Sequence, residues 1–149
     1  MANALIGSHP SHGFKVVEQI DSDKQLTRSD SGKLFMCDQQ TSIVRVELPK
    51  LSLEIAGWHC KFILRSGAGG ADFTIEAFGS WEGTGSTEDA DTIQYLELGH
   101  TVTASDNKDK VQYSGSSATL GTPIEFYCDG TNWYALALGK TADDVEAGG

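Results

Sequence analysis

Histidines, cysteines and carboxylates are the side chains in this sequence that could carry out chemistry. His59 and Cys60 are adjacent in the sequence, which suggests a cysteine nucleophile activated by a histidine. They fall, however, in a run whose alternation predicts a β-strand. Neighbours on a strand point to opposite faces of the sheet, so they cannot activate each other. The spacing of the carboxylates marks no pair as a glycosidase acid and nucleophile, because such a pair is set by the fold. We therefore predict no catalytic residues and no enzyme activity.

Two segments contain residue types that bind metals. His9 and His12 have helical spacing, but Pro10 and Gly13 disfavour a helix there, so the sequence favours a loose arm that contains histidines. The glycine-rich, acidic stretch 79–91 could offer oxygen ligands to Ca²⁺, although it lacks the spacing of an EF-hand. We predict no metal site and no cofactor; a cation in loop 82–91 stays an open alternative.

The three tryptophans could form a sugar-stacking surface. Trp58 and Trp133 occupy alternating positions within strand-like runs, which indicates packing in the core. Trp81 lies in the polar loop 79–91, where an exposed aromatic side chain often marks a contact. The sequence therefore predicts that Trp81 binds a partner.

Charge and cysteine content exclude several classes of protein. The 149-residue chain has 21 acidic and 11 basic residues and a net charge of −10, which argues against nucleic acid and anionic membranes as partners. No apolar run approaches the roughly 20 residues that span a bilayer, and residues 1–14 lack the features of a signal peptide. The three cysteines, odd in number and without CxxC spacing, predict buried thiols in a protein made in a reducing cytoplasm.

About nine short β-rich runs separated by turn residues predict an all-β fold, a β-sandwich or jelly roll. In the strongest run, 57–65, alternation places Trp58, Cys60, Phe62 and Leu64 on the core face. Residues 30–33 are predicted to form a turn, residues 92–103 a strand, and Asp129-Gly130-Thr131 a hairpin. The folded domain is predicted to span residues 15–139.

The two ends differ from this domain. Residues 1–14 are uncharged and contain Leu5, Ile6 and Phe14. They are therefore predicted to form an extended arm that docks on another surface without burying unpaired charges. The candidate partner-binding residues are Leu5, Ile6, His9, His12, Phe14 and Trp81. Residues 140–149 are predicted to be a flexible acidic tail.

The amino-acid sequences of several segments resemble those of tailed-phage virion proteins. The matching features are a D-S-G-K turn at 30–33, a strand ending in Leu48-Pro49, and a Gly-aromatic strand start at 57–58. A Thr-Ile strand at 74–75 and a closing D-G-T-N-W hairpin at 129–133 complete the pattern. The resemblance covers roughly residues 28–139 and is shared by capsid-decorating (cement) proteins and tail-fibre modules.

Among these families, a short chain with one domain and an arm is more similar to the cement type. The resemblance implies a β-sandwich protomer that forms a homotrimer on the outer capsid surface of the virion. There it would bridge adjacent subunits of the major capsid protein and stabilise the shell. The alternative is a receptor- or carbohydrate-binding module of a tail fibre, and a glycan-depolymerising enzyme is the third and least supported possibility.

Overall fold

The chain is described from a computed structural model, which describes residues 16–67, 69–80, 91–98, 103–115, 117–139 and 144–148. The described residues form twelve strands: β1 (Val17–Ile20), β2 (Lys24–Gln25), β3 (Leu34–Asp38), β4 (Val44–Glu47), β5 (His59–Ser66), β6 (Phe73–Glu76), β7 (Ile93–Leu98), β8 (Thr103–Lys108), β9 (Lys110–Tyr113), β10 (Pro123–Cys128), β11 (Trp133–Leu138) and β12 (Val145–Gly148). Two short 3₁₀ turns lie at Arg28–Asp30 and Leu53–Ile55. Within these ranges no helix is long and apolar enough to cross a membrane.

The strands form two sheets around one core, which confirms the predicted all-β sandwich. Sheet A has the order β1-β3-β5-β10-β11-β7-β8, and sheet B has the order β12-β9-β6-β4-β2. The first six strands alternate between the sheets, odd-numbered strands in sheet A and even-numbered strands in sheet B. Because each crossover passes through the other sheet, successive strands of one sheet run parallel. The first half of the chain therefore forms a coil in which each turn contributes one strand to sheet A and one strand to sheet B.

The parallel pairs separate this fold from a jelly roll, whose Greek keys are antiparallel. Five of the ten strand pairs among the described residues are parallel. The second half of the chain adds antiparallel pairs, including the β10–β11 hairpin that lies between β5 and β7. The strand predicted over 92–103 is divided in the structure: β7 ends at Leu98, and β8, which begins at Thr103, returns antiparallel to it.

The core contains the residues that the alternation predicts. Trp58, Cys60, Phe62 and Leu64 are buried, whereas His59 and Arg65 are exposed on the opposite face of β5. The rings of Trp58 and Trp133 pack edge to face with centroids 5.2 Å apart, and all three cysteines are buried free thiols. The 30–33 turn and the 129–131 hairpin are also confirmed, with Gly32 at φ 80° and Gly130 at φ 94°.

The prediction of a flexible tail is wrong for residues 144–148. Val145–Gly148 form β12, which pairs antiparallel with β9. Asp144 is fully buried, and its Oδ1 accepts hydrogen bonds from the Thr119 backbone N–H and hydroxyl at 3.0 and 2.8 Å. The sequence gives little sign of this strand, because backbone pairing with β9 holds it rather than an apolar pattern of its own.

The loop that connects β5 to β6 is packed against backbone on two sides. A methyl group added at Gly69 would lie 2.0 Å from the carbonyl carbon of Gln40, and one added at Gly115 would lie 2.2 Å from the carbonyl oxygen of Gly70. The Gln40 backbone and the Gly70 backbone each lie in a loop between two strands, so neither can move aside without shifting the ends of those strands. The glycines of this loop therefore permit a close approach of chains, which is a common role of glycine.

A charged cluster lies at the open end of the coil, where β1 and β2 are the edge strands. Glu18 accepts hydrogen bonds from Lys24 and from Lys33, and Lys33 also bonds Asp30 at 2.6 Å. Hydrogen bonds from Lys24 and then Lys33 lower the pKa of Glu18. Burial alone would raise the pKa of Asp30, but hydrogen bonds from Lys33 and Thr27 outweigh it and lower that pKa. Partly buried charges at edge strands also discourage unwanted strand pairing.

Gly69→Ala is expected to destabilise the fold by about 2 kcal/mol or more, because its methyl group would overlap the Gln40 backbone. Urea denaturation followed by circular dichroism measures the change. Gly67→Ala is the matched control, since the added methyl group would meet side chains and no backbone, with the Gln39 oxygen at 3.0 Å and Leu120 Cδ2 at 3.8 Å. Equal stability of the two variants would show that the loop is not packed as described.

Lys33→Met is expected to lower the free energy of unfolding at pH 7 by about 1 kcal/mol, because it removes the cation that Glu18 and Asp30 share. The folded pKa values of both carboxyls are lowered, so the contribution is present above the unfolded pKa of about 4. It is lost as the pH falls through the folded values.

Urea titrations between neutral and acid pH should therefore show the two proteins converging below about pH 4. Arg28→Met is the control, because the Arg28–Glu54 pair is exposed and 3.7 Å apart. A constant difference between wild type and Lys33→Met at every pH would contradict this electrostatic origin.

Candidate functional site

The outer face of sheet A, which points away from the core, is the surface of the described residues best suited to binding. Strand register aligns six side chains of this face in one row across neighbouring strands: Val17, Leu34, Lys61, Glu125, Leu136 and Leu96. A second row holds Gln19, Met36, Ile63 and Pro123, and Leu138 lies opposite Leu98. Because side chains alternate along each strand, these residues share one face while their neighbours fill the core.

Most side chains in these rows are apolar and in contact with solvent. Val17 is 64% exposed, Leu138 is 50% exposed, and Leu96 and Leu98 are each 37% exposed. Single exposed apolar residues are common on soluble proteins, but a contiguous patch of them usually marks an interaction site. Leu138, Leu96 and Leu98 lie on the adjacent strands β11 and β7. Half-buried apolar side chains on the intervening strands connect them to Val17 on β1, so the rows form one surface: Leu34, Met36, Ile63, Pro123 and Leu136.

The apolar rows of this face carry no net charge among their described side chains. Its rows contain one cation and one anion, Lys61 and Glu125, which form an ion pair at 3.0 Å across β5 and β10. At the margin, Arg65 bonds both carboxylate oxygens of Asp38, with Nε 2.8 Å from Oδ1. The whole chain has a net charge of −10, so its negative charge is concentrated elsewhere.

An aromatic row crosses the same face towards the hairpin end. His59, Tyr127, Tyr134 and Gln94 are in register on four adjacent strands, and the two tyrosines are 46% and 42% exposed. The Tyr127 hydroxyl donates to Glu125, and the Tyr134 hydroxyl donates to Asp129 at 3.0 Å. These hydrogen bonds fix both rings, so a partner would meet a largely preorganised surface.

The carboxylates that hold the rings are stabilised in their charged forms. Backbone N–H groups of Asn132 and Thr131 donate to Asp129 and lower its pKa to about 2. Glu125 has a lowered pKa because Tyr127 and Lys61 donate to it. In return, the hydrogen bond to Glu125 raises the pKa of Tyr127 to about 12. Both carboxylates therefore stay ionised throughout the physiological pH range.

The described residues do not assemble a reactive centre. Burial raises the pKa of the Cys37 and Cys60 thiols well above the usual value, which makes them poor nucleophiles. Within the part of the chain that the structure describes, no group of three or more His, Cys, Asp or Glu side chains could hold a metal ion. The arrangement on sheet A suits binding by apolar contact.

The candidate residues chosen from the sequence lie outside the described ranges. These are Leu5, Ile6, His9, His12, Phe14 and Trp81, and the acidic loop falls outside as well except for Asp91. The sheet A face was not among the candidates. Its signal was nevertheless present: in WYALAL (133–138) the residues facing both directions are apolar or aromatic, which is unusual for a strand with one solvated face.

Comparison of the chain with protein-family models, with curated proteins and with solved structures finds no match. The candidate site therefore depends on its own residues and geometry. Three features define it: a continuous apolar surface, a single central ion pair, and two oriented tyrosines at one end.

Glu125→Gln is expected to lower the ionisation pH of one tyrosine from about 12 towards 10, because the carboxylate that disfavours the Tyr127 phenolate is removed. Tyrosinate absorbance during alkaline titration measures this change. The pKa values of the other three tyrosines, Tyr95, Tyr113 and Tyr134, are also raised. In the variant, the ionisation of Tyr127 near pH 10 can therefore be distinguished from theirs. Glu54→Gln is the control, because Glu54 lies in the 3₁₀ turn at Leu53–Ile55 and pairs with the exposed Arg28. Identical titrations of the two variants would contradict the Tyr127–Glu125 hydrogen bond.

Proposed function

We propose that this chain is a structural protein of a phage virion that decorates the outer capsid surface and bridges adjacent subunits of the major capsid protein. The observation that carries an assembly role is the mostly apolar outer face of sheet A on an otherwise acidic protein. A protein that only had to stay dissolved would gain nothing from exposing such a surface.

The composition of the face supports binding to another protein. Leucine, valine and methionine fill its rows, in which the only described charges are the paired Lys61 and Glu125. Two tyrosines, with Asp129 beside Tyr134, lie at one end, and the Arg65–Asp38 pair lies at the margin. Protein interfaces have depleted charge at their centres and are enriched in tyrosine and methionine. A nucleic-acid partner would instead require a basic surface.

The capsid as the partner is supported by the resemblance of the turn and strand motifs to cement proteins. The uncharged arm 1–14, with Leu5, Ile6 and Phe14, is proposed as the attachment to the capsid. Several copies on one shell would gain affinity by multivalent binding. A protein that binds only the assembled capsid stabilises it by mass action.

Purified protein mixed with capsids that lack it is expected to sediment with them to saturation and to raise their melting temperature. Deleting residues 2–14 should abolish this binding while circular dichroism shows an intact β-domain, because the deletion ends before β1 begins at Val17. A truncated protein that still saturates capsids would exclude the arm as the attachment. A full-length protein that does not bind capsids would exclude the decoration role.

The alternative, a tail-fibre module that binds receptors or carbohydrates, makes a different prediction. Purified protein would then bind glycans, and Trp81→Ala would abolish that binding. Binding to capsids without binding to glycans would favour decoration, and the reverse result would favour the tail fibre.

A further inference from the structure

We propose that Glu76, on the outer face of sheet B, is a proton-binding site formed with its neighbour Glu47, and that the bound proton strengthens the attachment of the loop at residues 77–80. The site lies on the opposite sheet from the candidate docking face. It therefore adds to the proposed function and does not depend on it.

Strand register places the two carboxyl groups side by side. β4 and β6 are parallel neighbours in sheet B, and Glu47 lies directly opposite Glu76. Neighbouring strands are about 4.8 Å apart, so two ionised carboxylates at these positions repel each other. Each residue is only 7% exposed, and water therefore screens this repulsion weakly. One of the two carboxyl groups is favoured in its neutral form.

Hydrogen bonds identify Glu76 as the neutral member of the pair. Glu47 Oε1 accepts the Gly79 backbone N–H at 3.0 Å, and its Oε2 accepts the Gln25 side-chain N–H at 2.6 Å. Both oxygens of Glu47 therefore act as acceptors, which suits a carboxylate. Glu76 Oε2 is buried, and no described group donates a hydrogen bond to it. A buried acceptor without a donor is unfavourable, whereas a proton on Oε2 turns this oxygen into a donor.

The nearby cations do not compensate the charge of Glu76. Arg45 Nε is 3.7 Å from Glu76 Oε1, beyond hydrogen-bond distance, and the Arg45 side chain is 45% exposed. Lys110 is in register with Glu76 on β9, but its stem passes over Gly148, where an added methyl group would lie 3.0 Å from Lys110 Cε. Gly148 belongs to β12, on the far side of β9 from β6. The lysine therefore leans away from Glu76.

The pKa of Glu76 is raised by these surroundings. Burial is the largest cause, and the like charges of Glu47 and Asp23 add to it. Arg45 and Lys110 lower the pKa but do not outweigh burial. The charged groups around Glu76 and its burial together favour uptake of a proton at a higher pH than an ordinary glutamate requires.

Glu47 connects the proton site to the loop that follows β6. Its Oε1 holds the Gly79 N–H, and residues 77–80 contain no charged side chain of their own. A protonated Glu76 no longer repels Glu47 and can donate its O–H to the Glu47 carboxylate. Glu47 then stays aligned with Gly79, so the loop is held more firmly when Glu76 carries the proton.

NMR of the glutamate side-chain carboxyl carbons in the full wild-type chain measures the proton site directly. Glu76 should titrate at a higher pH in the folded protein than in the urea-unfolded chain, where glutamate titrates near pH 4.3. A folded Glu76 that titrates at the same pH as in urea, or at a lower pH, would overturn the inference. This measurement needs no variant, so it holds even where a substitution prevents folding.

Glu76→Gln keeps the shape of the side chain without its charge, so its urea midpoint at about pH 7 should exceed that of wild type. The folded pKa of Glu76 is raised. The cost of its charge is therefore fully present above the folded value and absent below the unfolded value of about 4.3. The two midpoints should converge as the pH falls to about 4. A difference of the same size at every pH would not come from titration and would reject the site.

Glu47→Met is the matched control, because it removes a negative charge from the neighbouring position. It also removes the acceptors of the Gly79 and Gln25 N–H groups, so its urea midpoint at about pH 7 should fall below that of wild type. Equal increases in the two variants would show that only the net charge matters, which would contradict the pairing of Glu76 with Glu47.

Hydrogen exchange of the Gly79 amide tests the connection to the loop. Its protection factor, which corrects for the intrinsic rate at each pH, should be greater at about pH 5 than at about pH 7 in wild type. In Glu76→Gln it should be the same at both pH values. The amide of Phe126, in the core strand β10, is the control for global stability. A change at Gly79 no larger than that at Phe126 would overturn the connection between Glu76 and the loop.

Discussion

The packing of two sheets onto one shared apolar core is the interaction on which the rest of this structure depends. At its centre, the Phe62 ring stacks against Phe35 with centroids 5.0 Å apart and meets Phe126 edge to face at 5.7 Å. These rings belong to β5, β3 and β10, which come from distant parts of the chain. Burying each such side chain contributes about 2–3 kcal/mol, so the core holds together strands that have few local contacts.

The same constraint explains the unusual winding of the first half of the chain. A strand that buries one face in the core needs a strand of the opposite sheet to pack against. From β1 to β6 the chain adds one strand to sheet A and the next to sheet B, in alternation. Parallel strands then result from the coil, without the crossover helices that parallel sheets usually require. The close approach of Gly69 to Gln40 and of Gly115 to Gly70 belongs to this winding, because the loops at the end of the sandwich must pass close to one another.

A core between two sheets also leaves two outer faces, and their properties differ. On sheet B, the row that contains Glu47, Glu76 and Lys110 is polar, and burial raises the pKa of Glu76 despite the nearby Arg45 and Lys110. On sheet A, the outer rows are mostly apolar and their only described charges form one ion pair. The two outer faces therefore differ: the rows on sheet A are mostly apolar, whereas this row on sheet B is charged and its two glutamates are buried.

The sequence by itself determined the local features of this protein. Period-two alternation identified the core face of β5, turn residues located Gly32 and the 129–131 hairpin, and composition predicted three buried thiols. Each of these depends on residues a few positions apart, so a pattern read along the chain contains the information. Only the tertiary structure decided the parallel pairing, the strand at Val145–Gly148 and the apolar outer face of sheet A. These depend on which distant strands become neighbours: Leu136 and Leu96 form a surface only because β11 lies beside β7.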